Sequence, residues 1–250
     1  MGTKLITFII LSMLVSVSLF AQSGGINIES KRPLLYISAE IGPSIPLTDF
    51  ASDYAYDNKS GYAELGYKVE VNGGINIGSG FSIGLMGLAN FNPTNIDSYA
   101  KRLSDQNPGT SWTGESEQWQ VYGGLGGFTF GYPVGKDLFL DLRALTGFIY
   151  AVSPEFSMSY NNAGTGTTDS YKIEKKESGA WSTLFSAKLS YQTSKHIVLT
   201  GGVDFLNSKP TFENVKTIMT MNNIQSESQT SFSRQIYALI ISAGIKYVFY

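Results

Sequence analysis

The segment Arg234-Gln235-Ile236-Tyr237-Ala238-Leu239-Ile240-Ile241-Ser242-Ala243-Gly244-Ile245-Lys246-Tyr247-Val248-Phe249-Tyr250 decides the fold. Tyr237, Leu239, Ile241, Ala243, Ile245, Tyr247 and Phe249 share one parity. A strand alternates its side chains between two faces, so it sets all seven on one face. A helix would scatter them around its surface. The segment therefore predicts a strand with one continuous apolar face that finishes on aromatic residues.

The other end of the chain reads as an export leader over residues 1–21. Lys4 supplies the positive start, Leu5 to Phe20 is apolar apart from Thr and Ser, and Ala21 before Gln22 suits cleavage. The run is near the minimum for a spanning helix, but Gln22-Ser23-Gly24-Gly25 is no charged stop-transfer flank. Residues 22–32 read as a short periplasmic lead-in, and 33–250 as one barrel domain. Beyond the leader no apolar run approaches the ~18 residues that a spanning helix needs. A membrane would have to be crossed by strands.

Composition agrees. Charged residues are 15%, against about 25% in soluble domains. Aromatic residues reach 13%, and there are 27 glycines and no cysteines. Without cysteine, a disulfide framework, a thiolate metal site and a cysteine nucleophile are all excluded. The formal net charge of -2 gives no basic footprint for nucleic acid.

Period-two alternation recurs in about eight segments. In Tyr62 to Ile77, Ala63, Leu65, Tyr67, Val69, Val71, Ile75 and Ile77 oppose Glu64, Lys68, Glu70, Asn72 and Asn76. Leu34 to Pro43 sets Leu35, Ile37, Ala39 and Ile41 against Ser38 and Glu40. Phe81 to Phe91 carries Phe81, Ile83, Leu85 and Phe91 on one face. Glu117 to Gly131 is rich in glycine, which leaves its register open. Asp137 to Tyr150 opposes Leu138, Leu140, Leu142 and Phe148 to Asp141 and Arg143. Trp181 to Tyr191 opposes Trp181, Phe185 and Leu189 to Ser186 and Lys188. Ile197 to Phe205 opposes Leu199 and Val203 to Thr200 and Asp204.

Connections alternate in length. Gly78-Ser79-Gly80, Pro133 to Lys136 and Thr193 to His196 read as tight turns. Leu47 to Gly61, Asn92 to Ser116, Ser153 to Gly179 and Asn207 to Ser233 read as long polar loops. Short periplasmic turns and long external loops are the rhythm of outer-membrane barrels. The fold expected is all-β: a transmembrane antiparallel up-and-down β-barrel, most simply of eight strands, in the outer membrane of a Gram-negative bacterium. Closure follows because lipid cannot satisfy the bare edges of an open sheet.

An eight-stranded barrel is just wide enough for side chains to fill it. Glu40, Glu64, Lys68, Glu70, Asp141, Arg143, Lys188, Asp204 and Lys246 are expected to face inward and pair as a charged plug. Neutralising Lys68 or Arg143 is then expected to raise leakage. Aromatic belts are expected at Phe81, Phe130, Tyr132, Phe139, Tyr191, Tyr247 and Phe249 on the turn side. On the loop side they are expected at Tyr62, Phe91, Trp119, Tyr150, Trp181 and Tyr237.

On these residues the chain resembles the OmpA/OmpX-type family of small outer-membrane barrels. Ala39-Glu40-Ile41-Gly42-Pro43-Ser44-Ile45-Pro46 is similar to the family's first strand and its exit. Gly244, Tyr247 and Phe249 are similar to its C-terminal assembly signal, with Tyr250 following where Phe usually stands last. The resemblance implies partners in outer-membrane lipid, lipopolysaccharide and the barrel assembly machinery. It does not select a function, since one fold hosts many.

Candidate chemistry is sparse. His196 is the sole histidine and sits in a turn, away from the outer rim where a lipid-modifying barrel enzyme would need it. One histidine and no cysteine make a zinc site improbable. Glu115, Glu117, Asp97 and Asp105 read as solvated loop acids. Asp49, Asp53 and Asp57 do not match a calcium loop. Gly123-Gly124-Leu125-Gly126-Gly127 lacks the strand–turn–helix setting of a phosphate loop and reads as barrel wall. No cofactor and no enzymatic activity are expected. Val215, Thr217, Met219 and Met221 alternate, which predicts a projecting hairpin with an edge open to pairing. The expected role is surface interaction or envelope structure, with a narrow solute channel as the alternative.

Overall fold

The computed structural model describes residues 33–54, 59–106, 110–162, 168–221 and 224–250. The leader (1–21), the lead-in (22–32) and Asp57 lie outside them. In chain order the elements are β1 (Leu35–Pro46), a 3-10 turn (Thr48–Phe50), β2 (Gly66–Gly78), β3 (Phe81–Asn92), α1 (Ile96–Gln106), β4 (Thr110–Ser116), β5 (Trp119–Pro133), β6 (Leu138–Ser153), β7 (Phe156–Asn162), β8 (Thr168–Ile173), β9 (Lys176–Gln192), β10 (Ile197–Ser208), β11 (Thr211–Met221), β12 (Ile224–Ser233) and β13 (Ile236–Phe249).

Eight strands close a transmembrane antiparallel up-and-down barrel in the order β1-β2-β3-β5-β6-β9-β10-β13. β13 seals it by pairing with β1 from Leu35↔Phe249 to Pro46↔Ala238. The parity read from the closing segment holds. Ile241, Ile245, Tyr247 and Phe249 are exposed on the outer wall, while Ser242 and Val248 are buried. Around the wall, Ile41, Phe128 and Leu189 are exposed, and Leu85 is 74% exposed. Such a wall of apolar side chains suits acyl chains and not water.

The three short turns share one end of the barrel, which we call the turn end. At Gly78-Ser79-Gly80 all three residues have positive φ (111°, 47° and 88°), a geometry that glycine adopts without steric cost. At the opposite end, the loop end, the structure departs from the sequence reading. The connections are not simple polar loops. β4, β7, β8, β11 and β12 form a second, open antiparallel sheet in the order β12-β11-β8-β7-β4, and α1 packs on β4. Alternation in these strands pairs large apolar residues with Ser, Thr and Asn, so their composition reads as loop.

Three residues expected in the aromatic belts are elsewhere. Trp119 is buried with Phe50 and Phe212, its indole N–H donating to the Gly61 carbonyl at 2.8 Å. Its parity in β5 matches buried Val121 and Leu125, so it turns inward. Phe139 shares the inward parity of Asp141 and Arg143 and sits opposite Ser190. Tyr62 precedes β2 and packs edge-on against Tyr99. Other expected belt residues do make ring contacts on the wall: Phe81 with Phe130 at 4.8 Å, and Tyr237 with the neighbouring Phe205 at 5.7 Å.

Candidate functional site

The barrel interior has two unlike halves. Cross-strand register sets Arg143, Ser186 and Asp204 in one row. The next row toward the loop end is Leu145, Leu184, Leu206 and Ala238. The boundary between ionic and apolar packing falls between these rows.

On the turn side, three cations meet three carboxylates. Lys68 donates to Glu70 and, at 2.7 Å, to Asp204. Lys188 donates to Glu40 and, at 2.8 Å, to Glu70, and lies 3.2 Å from Asp204. The Arg143 guanidinium reaches Glu70 at 3.2 Å, and Glu40 and Asp204 at 3.6 Å each. Glu40 and Glu70 sit directly opposite across β1 and β2, a like-charge pair that alone would repel. Lys188 and Arg143 bridge them. Asn72 donates to Glu70 at 3.0 Å, and Ser186 donates to Asp204. Closer to the turn end, Lys246 holds Asp141 at 2.5 Å, and Ser190 donates to the same carboxylate at 2.6 Å. Between the two clusters remains a cavity of about 10 Å³, room for a single water at most.

Of the nine residues expected to line the lumen, eight converge there. Glu64 does not. β2 begins at Gly66, so Glu64 stands exposed above the strand; its carbonyl accepts from Asn92 at 2.8 Å. The alternation that suggested a longer strand ends where Ala63 makes an isolated bridge to Thr94.

On the loop side the interior is largely apolar, with Asn92, Ser182 and Ser208 buried among its members. Leu125, Ile149, Leu184, Leu206 and Ile236 are all buried there. Phe50, from the 3-10 turn, meets Trp119 edge-on at 5.7 Å, and Trp119 lies 5.9 Å from Phe212. These rings cap the core. Reading only the polar members of the inward parity missed this half, although those apolar residues share that parity.

Gly244 belongs to the wall. A Cβ there would sit 2.1 Å from the Ala39 carbonyl oxygen, so the β1–β13 seam closes only around glycine. Gly127 in the glycine-rich run is similar, with the Ala144 carbonyl 2.2 Å from where its Cβ would be. Tyr247 and Phe249 meet edge-on at 4.8 Å on the outer wall.

The remaining candidates are dispersed. His196 stacks on Tyr247 at 5.5 Å, and its Nδ1 is 3.0 Å from the Val248 carbonyl, at the turn end. Glu115 and Glu117 are exposed, and Glu117 pairs with Lys175 at 3.4 Å. Among the described residues, no group of three or more His, Asp or Glu side chains could hold a metal ion.

The open sheet is two-faced. Trp112, Met158, Tyr160, Tyr171 and Met219 are linked in register on one face. Thr113, Ser159, Ser170 and Lys172 fall on the other. Three polar contacts brace it. The Tyr160 hydroxyl donates to Asp169 at 2.6 Å, which raises its pKa. Lys172 is held by Glu155 at 2.7 Å, and Lys216 by Glu227 at 3.0 Å; each hydrogen bond raises the lysine's pKa. Between the apolar face, α1 and the barrel mouth lies a cavity of about 490 Å³.

Fold and interior together define the class: a small eight-stranded transmembrane β-barrel with a filled lumen and a sheet built from its loops. No protein-family model matches the chain, and no curated protein matches it. Among solved structures, it is similar to a major outer membrane protein from Thermus thermophilus (TM-score 0.47, 13% identity, 86% of this chain and 99% of the other). It is also similar to Neisserial surface protein A (TM-score 0.41, 12%, 86% and 97%). A third is Ail, the attachment invasion locus protein of Yersinia pestis (TM-score 0.35, 11%, 86% and 99%). These are likenesses of fold; the strand pairing itself establishes the barrel.

Proposed function

We propose that this chain is a non-enzymatic integral outer-membrane barrel of a Gram-negative bacterium, exported with a cleaved leader over residues 1–21. Its lumen is closed to solutes, and its loop-end sheet faces outward for surface interaction. The observation that carries this reading is the double filling of the interior. A neutral network of buried charges occupies one half and a ring-capped apolar core the other. The apolar outer wall supports residence in lipid, and the short turns favour termini on the periplasmic side. Gly244, Tyr247 and Phe249 act in this reading as the segment met by the barrel assembly machinery. Lipid and lipopolysaccharide surround the wall.

The test is single-channel conductance of refolded protein in a planar bilayer, with folding checked by a heat-dependent gel shift. A silent bilayer is the expected result. Steady ion-selective steps would overturn the closed lumen and favour a narrow channel, with Glu40, Lys68 and Arg143 as the residues to mutate for selectivity.

A further inference from the structure

The cleft at the loop end has the properties of a small-molecule site. Its volume of about 490 Å³ falls within the roughly 300–1,000 Å³ of ligand pockets. Six rings line it, those of Tyr62, Tyr99, Trp119, Phe156, Tyr171 and Phe232. They come from five separate stretches of chain: the approach to β2, α1, β5, the β7–β8 hairpin and β12. Rings from so many distant segments converge on one space, and aromatic side chains favour stacked and edge-on contact with another ring.

The rings are also held in place. Tyr62 has φ 53°, the left-handed region that a bulky residue seldom occupies. It is fixed there by edge-on contacts to Tyr99 at 5.3 Å and Phe156 at 6.3 Å, and by its hydroxyl donating to the Tyr54 carbonyl at 2.9 Å. Trp119 is pinned by its bond to Gly61 and forms the floor between cleft and lumen. Polar lining comes from a few groups: hydroxyls such as Ser60 and Thr230, and one cation, Arg234, whose guanidinium lies 5.3 Å from the Phe232 ring centroid. A second cavity of about 210 Å³ adjoins it, sharing Tyr99, Met158 and Tyr171, and adds Met219 and Met221. Methionine side chains adapt their shape to what they touch.

We propose that this cleft is a binding site for a small molecule with a flat ring system. The tryptophans supply the readout. Of the three, Trp119 lines the cleft and Trp112 the adjoining cavity, whereas Trp181 is on the outer wall, 65% exposed. The probe is N-phenyl-1-naphthylamine, added to the Trp181→Phe protein in dimyristoylphosphatidylcholine nanodiscs. Quenching of the remaining tryptophans is expected to saturate at one probe per chain. Ile173→Phe and Thr230→Phe each place a ring into the cleft from different strands, and each is expected to weaken binding at least tenfold. Both variants are checked for folding by the heat-dependent gel shift, and either one that folds suffices. Quenching that rises without saturation, as simple partition into lipid gives, would overturn the proposal. So would saturable binding that the folded filling variants leave unchanged.

Discussion

The two halves of the barrel interior use the same strands and the same inward parity, yet pack by different physics. On the turn side, Glu40, Glu70 and Asp204 are neutralised by Lys68, Arg143 and Lys188. On the loop side, Leu145, Leu184 and Leu206 are buried side by side in an apolar core. Apolar packing tolerates the loss of a group by leaving a cavity. An ionic network does not, because each ion there is stable only through its partners. The halves are therefore expected to respond very differently to comparable truncations.

The largest effect is expected from Lys68→Met. It leaves Glu70 and Asp204 short of a cation and the network with a net negative charge. Breaking a buried pair from one side costs about 3–5 kcal/mol, to be read from urea unfolding in micelles. The double variant Lys68→Met/Glu70→Leu restores neutrality and is expected to recover much of that loss. A double variant as unstable as the single would show that the bonds, and not the charge balance, hold this half together. Leakage separates the halves further. From the charged residues alone, neutralising Lys68 is expected to open the lumen. With Trp119, Phe50 and Phe212 capping the other half, the variant is instead expected to stay silent in a bilayer.

The matching change on the loop side is Leu184→Ala. Leu184 is fully buried between Leu145 and Leu206, and such truncations cost about 2–5 kcal/mol according to how far the site collapses. Neighbouring leucines can relax toward the gap, so the lower part of that range is expected. Unfolding at the same urea concentration as Lys68→Met would show that the two halves respond alike. Trp119→Phe is expected to be milder, about 1–3 kcal/mol, since it leaves the Gly61 carbonyl without its buried donor. Protease nicking near Gly61 should rise with it while the barrel keeps its gel shift.

How far the sequence was legible follows the same division. The barrel strands show because lipid demands apolar side chains on every other residue, and Ile241, Ile245 and Tyr247 state that rule openly. The turns show through Gly78-Ser79-Gly80. The inward charges show because Lys68 and Arg143 have no other place in a strand of that parity. The apolar half of the lumen was harder to see. Where inward residues are also apolar, as in Ile240-Ile241, alternation disappears and the interior is indistinguishable from the wall. The open sheet was hidden by composition. Phe156-Ser157-Met158-Ser159-Tyr160-Asn161 alternates cleanly, but its small polar members read as loop. Ile96, Tyr99 and Ala100 carry the helical spacing of α1, a short signal among polar neighbours. The cleft depends on both elements, so its ring set was out of reach without the fold.

The smallest effect expected belongs to the open sheet. The Tyr160 hydroxyl donates to the Asp169 carboxylate at 2.6 Å, and that bond raises the phenol's pKa above the ordinary 10.0. A group whose pKa is raised by folding stabilises the folded state at lower pH and loses that contribution as pH climbs through the raised value. Lys172 and Lys216 are also raised, by their hydrogen bonds to Glu155 and Glu227, above the ordinary 10.5. All three braces therefore persist at neutral pH and fail together in alkali. Tyrosinate absorbance of the wild type minus that of Tyr160→Phe isolates one phenol, and its midpoint is expected above 10.0. A midpoint at or below that value would mean that the β7–β8 hairpin does not hold this bond in solution. The ordered β7–β8 lining of the cleft would then be in question, while both halves of the barrel interior would be untouched.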